Sequence, residues 1–220
     1  VKYHTNYKST KKFKAIQILN WIYKKRACSF EIMTNLSRDL IGKLKSSYYI
    51  SELKVLKKLI SKEKDTAKYL LECEDGQKIE TVLMKYHYGN TICISTQIGC
   101  TFNCVICATG KIGFVRNLSP AEIVNQFLIV EKDKNVKIKN VVFMGMGEPL
   151  ANYDNFKKAV LIISDKDTLS VSLRRMTVST CGLVPKINQI IKDDLKINLS
   201  ISLHSVEDSK RDLLVTSNKI

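Results

Sequence analysis

From Thr91 onward, short apolar runs alternate with amphipathic stretches, and this alternation limits the fold more than any other feature of the chain. The spacing predicts strands over 91–98, 141–145, 175–181 and 197–203. Helices are predicted between them over 119–130, 153–164 and 185–192, with a last one opening near Glu207. Ser119-Pro-Ala-Glu122 is a capping box with proline at the first helical position, which marks where one of these helices begins. Strands that recur with helices between them run parallel, because each helix returns the chain to the same edge. The expected fold class is α/β, with a parallel sheet that is either open or curled into a partial barrel. Such sheets bind ligands at the C-terminal ends of their strands.

The first part of the chain has a different character. Phe13, Ile16, Leu19, Trp21, Ile22 and Tyr23 recur at helical spacing, and a second helix is predicted over 36–44 behind Asn35 as its cap. Residues 1–62 therefore read as a small basic helical unit. Residues 63–90 read as a β-hairpin connector, because two strand-like runs flank Asp75-Gly76 and glycine accepts the positive φ of a tight turn. The α/β unit then occupies 91–220.

Lys and Arg number 36 against 21 Asp and Glu, a net charge of +15. Much of the excess lies near the N-terminus, at Lys8, Lys11, Lys12, Lys14, Lys24, Lys25 and Arg26. A polyanion such as RNA is the natural partner of that field, and a lysine-rich surface of biased composition is the plainer alternative. No apolar run reaches the ~18 residues that would span a bilayer, and the N-terminus lacks a signal-peptide core. A soluble cytoplasmic protein is the default. The chain opens on Val1 and closes on Ile220 without a recognisable terminal motif, so a longer parent protein is expected.

The seven cysteines are odd in number, and three crowd into Cys100-Thr-Phe-Asn-Cys104-Val-Ile-Cys107. That is no secreted disulfide framework; clustered thiols in a reducing compartment bind metal or do chemistry. At this spacing three thiolates can hold three irons of a [4Fe–4S] cube and leave the fourth open to a small chelating molecule. A zinc site would need a fourth ligand, for which His87 or His204 would have to fold back. Cys28, Cys73 and Cys181 read as packed small residues, and Cys93 alone carries the same reading. Met144-Gly-Met-Gly147-Glu148-Pro149 ends a predicted strand, and Glu148 can accept from an ammonium group. Ser179 and Ser202-Leu203-His204 end the next two strands, where hydroxyls can line a polar pocket or merely satisfy turns.

Taken together these motifs resemble the RlmN/Cfr family of radical S-adenosylmethionine (SAM) RNA methyltransferases. The resemblance is carried by Glu80-Thr-Val-Leu-Met, Cys93-Ile-Ser-Thr-Gln-Ile-Gly-Cys100, Ala108-Thr-Gly-Lys-Ile-Gly-Phe, Arg116-Asn-Leu-Ser, Met144-Gly-Met-Gly-Glu-Pro-Leu, Val178-Ser-Thr-Cys-Gly-Leu-Val-Pro and Ser202-Leu-His-Ser. It runs co-linearly from about Phe13 to the end and includes Lys14-Ala-Ile-Gln-Ile-Leu-Asn-Trp-Ile-Tyr in the helical unit. It implies a partial (β/α) barrel that methylates adenine C2, or C8 in Cfr-type members, in 23S rRNA, with some tRNAs as further C2 substrates. It further implies a [4Fe–4S] cluster on Cys100, Cys104 and Cys107, and SAM held by Gly147, Glu148, Ser179, Ser202, Leu203 and His204. Cys93 matches the cysteine that resolves the methylated adduct, and Glu80 the proton acceptor. The implied working form is a monomer served by a reductant such as flavodoxin or ferredoxin, with the basic helical unit gripping RNA. Two departures stand out. Ile106 replaces an aromatic residue, and the chain stops at Ile220, before the stretch that in the family supplies the last strands, an Asn on SAM and the methyl-carrying cysteine. A whole protein ending there is expected not to complete the reaction, and an inactive truncated RNA-binding remnant is the alternative.

Overall fold

The computed structural model describes residues 9–215; Lys8 and the last five residues of the expected α/β unit lie outside the described part. Helix α1 (Ser9–Tyr23) and helix α2 (Arg38–Ser47) form the N-terminal unit. Ser37, not Asn35, caps α2, accepting from Leu40 N at 3.3 Å. Asn35 is engaged elsewhere, its Oδ1 taking the Trp21 indole N–H at 2.5 Å. Phe30, Met33 and Leu36 between the helices are buried and belong to the same continuous core as the rest of the protein.

The expected helical unit stops short of residue 62. Lys54–Ile60 is a strand, β1, paired antiparallel with β2 (Thr66–Glu72). Its seven residues are all exposed, and Lys54, Lys57 and Lys58 guard the edge against further pairing. The predicted hairpin is present, with Asp75-Gly76 joining β2 to β3 (Lys78–Tyr86) and Gly76 at φ 78°. It is no separate connector, however. β3 pairs antiparallel with β4 (Gly89–Cys93), and β4 opens the parallel series.

The predicted strand over 91–98 breaks in two. After Cys93 the chain leaves the sheet, and Gln97–Gly99 (β5) pairs instead with Phe114–Asn117 (β6), bracketing the cysteine loop and the short helix α3 (Ala108–Ile112). α4 (Pro120–Lys134) begins on the expected capping box, with Ser119 Oγ accepting from Glu122 N and Glu122 Oε2 from Ser119 N. Then follow β7 (Ile138–Phe143), α5 (Tyr153–Ser164), β8 (Met176–Thr180), α6 (Val184–Lys192), β9 (Asn198–Ile201) and α7 (Asp208–Leu214). The main sheet has the order β1-β2-β3-β4-β7-β8-β9, and β4, β7, β8 and β9 are parallel.

Side chains alternate across this sheet. Ile79, Leu83, Ile92, Val141, Phe143, Met176 and Val178 are fully buried on one face, together with Phe127 of α4 and Phe156 and Val160 of α5. Phe143 meets Phe156 edge-on at 4.8 Å. The opposite face stays half open. Val82, Cys93, Val142 and Thr177 stand in register across four strands there, each only partly buried. This open face is the inside of the unclosed barrel. No described helix is long and apolar enough to cross a membrane.

Candidate functional site

The three clustered cysteines sit on the loop between β5 and α3. Its backbone is pinned at three points: Cys100 N donates to Gly113 O at 3.0 Å, Cys107 N donates to Cys104 O at 3.1 Å, and Gly110 lies against Cys104. A Cβ on Gly110 would come within 2.8 Å of Cys104 O, so only glycine fits. Cys107 is exposed, while Cys100 and Cys104 are half-buried. Burial pushes the Cys100 thiol up; the Phe102 N–H on its sulfur opposes this, and Glu148, Cys104 and Cys107 add to it electrostatically. Among the described residues no three His, Cys, Asp or Glu side chains converge as a cage for a single metal ion. A cube asks for a wider placement, since its cysteines bind three different irons. His87 lies at the β3–β4 turn, at the opposite edge of the sheet, and does not complete a zinc tetrahedron.

The Gly145–Pro149 turn follows β7 and packs directly on the chain leaving β4. A Cβ on Gly145 would meet Ser95 Oγ at 2.6 Å, and one on Gly147, at φ 98°, would meet Gln97 Cβ at 2.5 Å. These glycines are required by protein against protein, rather than by room for a ligand. Glu148 is 5% exposed, and each of its oxygens accepts a backbone N–H. Oε1 takes Leu150 N at 3.0 Å, and Oε2 takes Cys181 N at 2.8 Å at the end of β8. Its carboxylate thus ties two strand ends together, with lone pairs left over for an ammonium group.

On the open face, Glu80 stands two residues from Val82 on β3, toward the edge where the parallel strands end. Glu80 O accepts from Ser95 Oγ at 2.6 Å, and its carboxylate pairs with Lys68 Nζ at 2.7 Å. Cys93 lies on the same face, its thiol pushed up by burial while the Met144 backbone opposes the shift. Ser179 and Ser202 meet, Oγ to Oγ, at 3.1 Å. Leu203 and His204 follow on an exposed loop, with His204 at φ 59°, and Arg211 of α7 donates to Leu203 O at 3.1 Å and to Cys181 O at 2.6 Å. Glu80, Cys93, Glu148, Ser179, Ser202 and the cysteine loop thus gather at one edge of the sheet.

Several residues of this edge escaped the sequence reading. Buried Gln97 takes Glu148 N on its Oε1 at 2.9 Å, makes a longer bond from Thr101 N at 3.4 Å, and donates to Asn117 Oδ1 at 2.8 Å. It joins the cysteine loop to the glycine turn. Gln126 of α4 accepts from Ser95 N and the Thr81 hydroxyl and donates to Ser95 O. Its place among Ile123, Phe127 and Val130, a polar group on a helix's buried stripe, was the available signal. Asn152 Nδ2 donates to Thr96 O and Leu118 O, both at 2.8 Å. Cys73 and Cys181 are buried as expected, whereas Cys28 is exposed and not packed.

The residues present fit the implied groups. Three thiols on a pinned loop suit a cluster with an open iron, and a buried carboxylate with paired hydroxyls suits a ligand carrying ammonium and hydroxyl groups.

Comparisons with known proteins agree with this chemistry. The Radical SAM superfamily matches residues 94–218, and the ribosomal RNA large subunit methyltransferase N-terminal domain matches residues 3–50. A probable dual-specificity RNA methyltransferase RlmN of Pseudothermotoga lettingae is 47% identical over 208 residues, 94% of this chain and 61% of that protein. Its counterpart in Clostridium novyi is 46% identical over 96% of this chain and 62% of its own length. The crystal structure of a radical SAM methyltransferase from Sphaerobacter thermophilus superposes with a TM-score of 0.87 at 36% identity, covering 94% of this chain and 62% of that one. The chain therefore spans about three fifths of the length of these relatives. Fold and motifs point the same way as these matches: the chain belongs to the radical SAM superfamily, and its similarity within it is to the RlmN RNA methyltransferases.

Proposed function

We propose that this chain provides the iron–sulfur and SAM part of a methyltransferase that acts on C2 of adenine in 23S rRNA and in some tRNAs. The methyl group passes through a cysteine that none of the seven in this chain matches. The observation that carries the reading is the meeting of Glu80, Cys93, Glu148 and the Ser179–Ser202 pair at the edge that holds the cysteine loop. Cys100, Cys104 and Cys107 would hold the [4Fe–4S] cluster, and Glu148 would receive the SAM ammonium beside Gly147. Ser179, Ser202, Leu203 and His204 would line the remainder of the SAM pocket. When bound, the cluster and SAM supply the one-electron chemistry that an electron-poor carbon such as adenine C2 requires.

The protein's own groups handle the base. Cys93, on the open face, would be the cysteine that helps resolve the adduct between the base and the methyl-carrying cysteine, and Glu80 would accept the proton that the adenine carbon gives up. Lys68, ion-paired with Glu80, provides a cationic partner for that carboxylate. The basic helical unit contacts RNA phosphates, which position the substrate, and the target base leaves its stack to reach the site. Flavodoxin or ferredoxin supplies electrons to a monomer working in the cytoplasm. The test is expression of this chain, joined to the C-terminal stretch of an RlmN relative that carries the methyl-bearing cysteine, in a bacterium whose RNA lacks the C2 methyl, followed by mass spectrometry of its adenines. Appearance of 2-methyladenosine is expected, 8-methyladenosine would move the regiochemistry to C8, and neither, from a protein that binds no SAM, would overturn the reading.

A further inference from the structure

The β3–β4 turn carries a feature that neither the fold nor the methylation site uses. Lys85, Tyr86, His87 and Tyr88 are all exposed at its tip. Tyr86 and Tyr88 stack on each other with centroids 5.0 Å apart and planes 13° from parallel, and His87 stands edge-on to Tyr88 at 5.0 Å. The two tyrosines are still 46% and 53% exposed, so the area left open is on their outer faces and edges. The Tyr86 hydroxyl donates to Met84 Sδ at 3.4 Å, which holds that ring along β3. Single exposed apolar residues are ordinary, but a self-stacked aromatic pair keeps flat surface in water.

Lysines lie along the base of this turn. The stem of Lys139 lies across the turn, so close that a Cβ on Gly89 would come 2.8 Å from its Cδ. Asn90 Nδ2 donates to Lys137 O at 2.9 Å and ties the turn to the start of β7. Lys137 in turn lines a cleft of about 400 Å³ with Lys24, Arg26, Glu131 and Lys132. The one acid there is already engaged, since Glu131 is ion-paired with Arg26 and also accepts from Ile138 N at 3.1 Å. Near the tip the acid is Asp65, whose main-chain O accepts from Lys85 N while its carboxylate takes the Ser61 hydroxyl at 2.7 Å. Lysines therefore run from the aromatic tip to the end of the helical unit.

From this we infer that the β3–β4 turn is a base-stacking platform for single-stranded RNA, with Lys139, Lys137, Lys132 and Lys24 following the strand's phosphates. The inference rests on the RNA reading above and adds a second contact to it. Every base has a π-face that an aromatic ring can stack on without regard to sequence, and lysines that track the backbone make the contact salt-dependent. The platform lies at the opposite end of β4 from Cys93, about 13 Å along the strand. A base stacked there is not the one methylated; it anchors the RNA while another nucleotide enters the site.

The test is fluorescence anisotropy of a labelled single-stranded oligoadenylate with the purified 220-residue protein, over a range of salt. Tyr88→Leu should weaken binding about tenfold and Tyr88→Phe should leave it near wild type. Lys139→Gln should lower the slope of log affinity against log salt by about 0.7. Wild-type binding with Tyr88→Leu folded and equally tight would overturn the platform and leave the RNA reading standing. No wild-type binding at low salt would overturn both. An equal Tyr88 dependence for a fully duplex RNA would also overturn it, since paired bases offer no free face. Should Tyr88→Leu fail to fold, photocrosslinking of thiouridine-labelled RNA to the wild-type protein decides the matter: adducts on the 85–88 segment are expected, and adducts only elsewhere would overturn the inference.

Discussion

Replacing Glu148 by Gln should destabilise the protein by about 2 kcal/mol, because the carboxylate is a structural tie as well as a candidate SAM contact. Its two oxygens accept from Leu150 N at 3.0 Å and from Cys181 N at 2.8 Å, in a setting that leaves the residue 5% exposed. A hydrogen bond to a charged group contributes about 1.5–3 kcal/mol, and a buried donor left without a partner costs about as much again in desolvation. Glutamine keeps one oxygen. Its NH2 group faces the other backbone N–H, donor against donor, so one of the two bonds is lost. The neutral amide also escapes the desolvation that a buried carboxylate suffers, which trims the loss. A net loss of about 2 kcal/mol lowers the Tm of a chain of this size by about 4–8 °C. Glu148→Ala removes both acceptors and should cost roughly twice as much. Urea unfolding followed by far-UV circular dichroism reads the difference. A Glu148→Gln protein within about 0.5 kcal/mol of wild type, the range of an ordinary surface change, would refute the tie.

Three further expectations concern the frame around the site. Gln126→Leu strands the Thr81 hydroxyl and both backbone groups of Ser95 in the core, so a loss of about 3 kcal/mol is expected in the same unfolding assay; less than about 1 would show that the site does not rest on this residue. Burial raises Glu122, but the Arg116 guanidinium and the Ser119 N–H outweigh it and hold the carboxyl below its usual range, while Arg116 likewise lowers Asp75. Carboxyls depressed in the folded state lend stability that is complete above the unfolded range, about pH 5, and disappears as pH falls through the lower folded values. Arg116→Met should therefore move the acid-unfolding midpoint to higher pH, and an unchanged midpoint in a circular-dichroism titration would contradict this. Burial, helped by Glu122, pushes the Cys73 thiol up to about 12, so at pH 8 iodoacetamide should label exposed Cys28 well before Cys73; equal rates by mass spectrometry would count against the packing described.

Local chemistry made much of this molecule legible in the sequence. The capping box at Ser119, the helix over Tyr153–Ser164 and the Asp75-Gly76 turn each depend on residues within a few positions, and each appears where its own residues place it. What was misread depends on partners far along the chain. Lys54–Ile60 becomes a strand because the edge of β2 is there to pair with it. The run from Thr91 to Ile98 breaks because Gln97 pairs with Asn117 in a second sheet rather than continuing beside β7. Asn35 loses the capping role to Ser37 because the Trp21 indole claims its oxygen. In the site, the cysteine spacing and the Gly-Glu-Pro turn were visible. The second role of Glu148 was not, since its donor, Cys181 N, comes from the end of the following strand.

The measurement closest to the central claim is metal analysis with electron paramagnetic resonance of the anaerobically reconstituted protein. Roughly four irons per chain are predicted, with a reduced-cluster signal that changes on addition of SAM, and with iron lost when Cys100, Cys104 and Cys107 are replaced by Ala. Stoichiometric zinc without iron, or a cluster signal indifferent to SAM, would contradict the account.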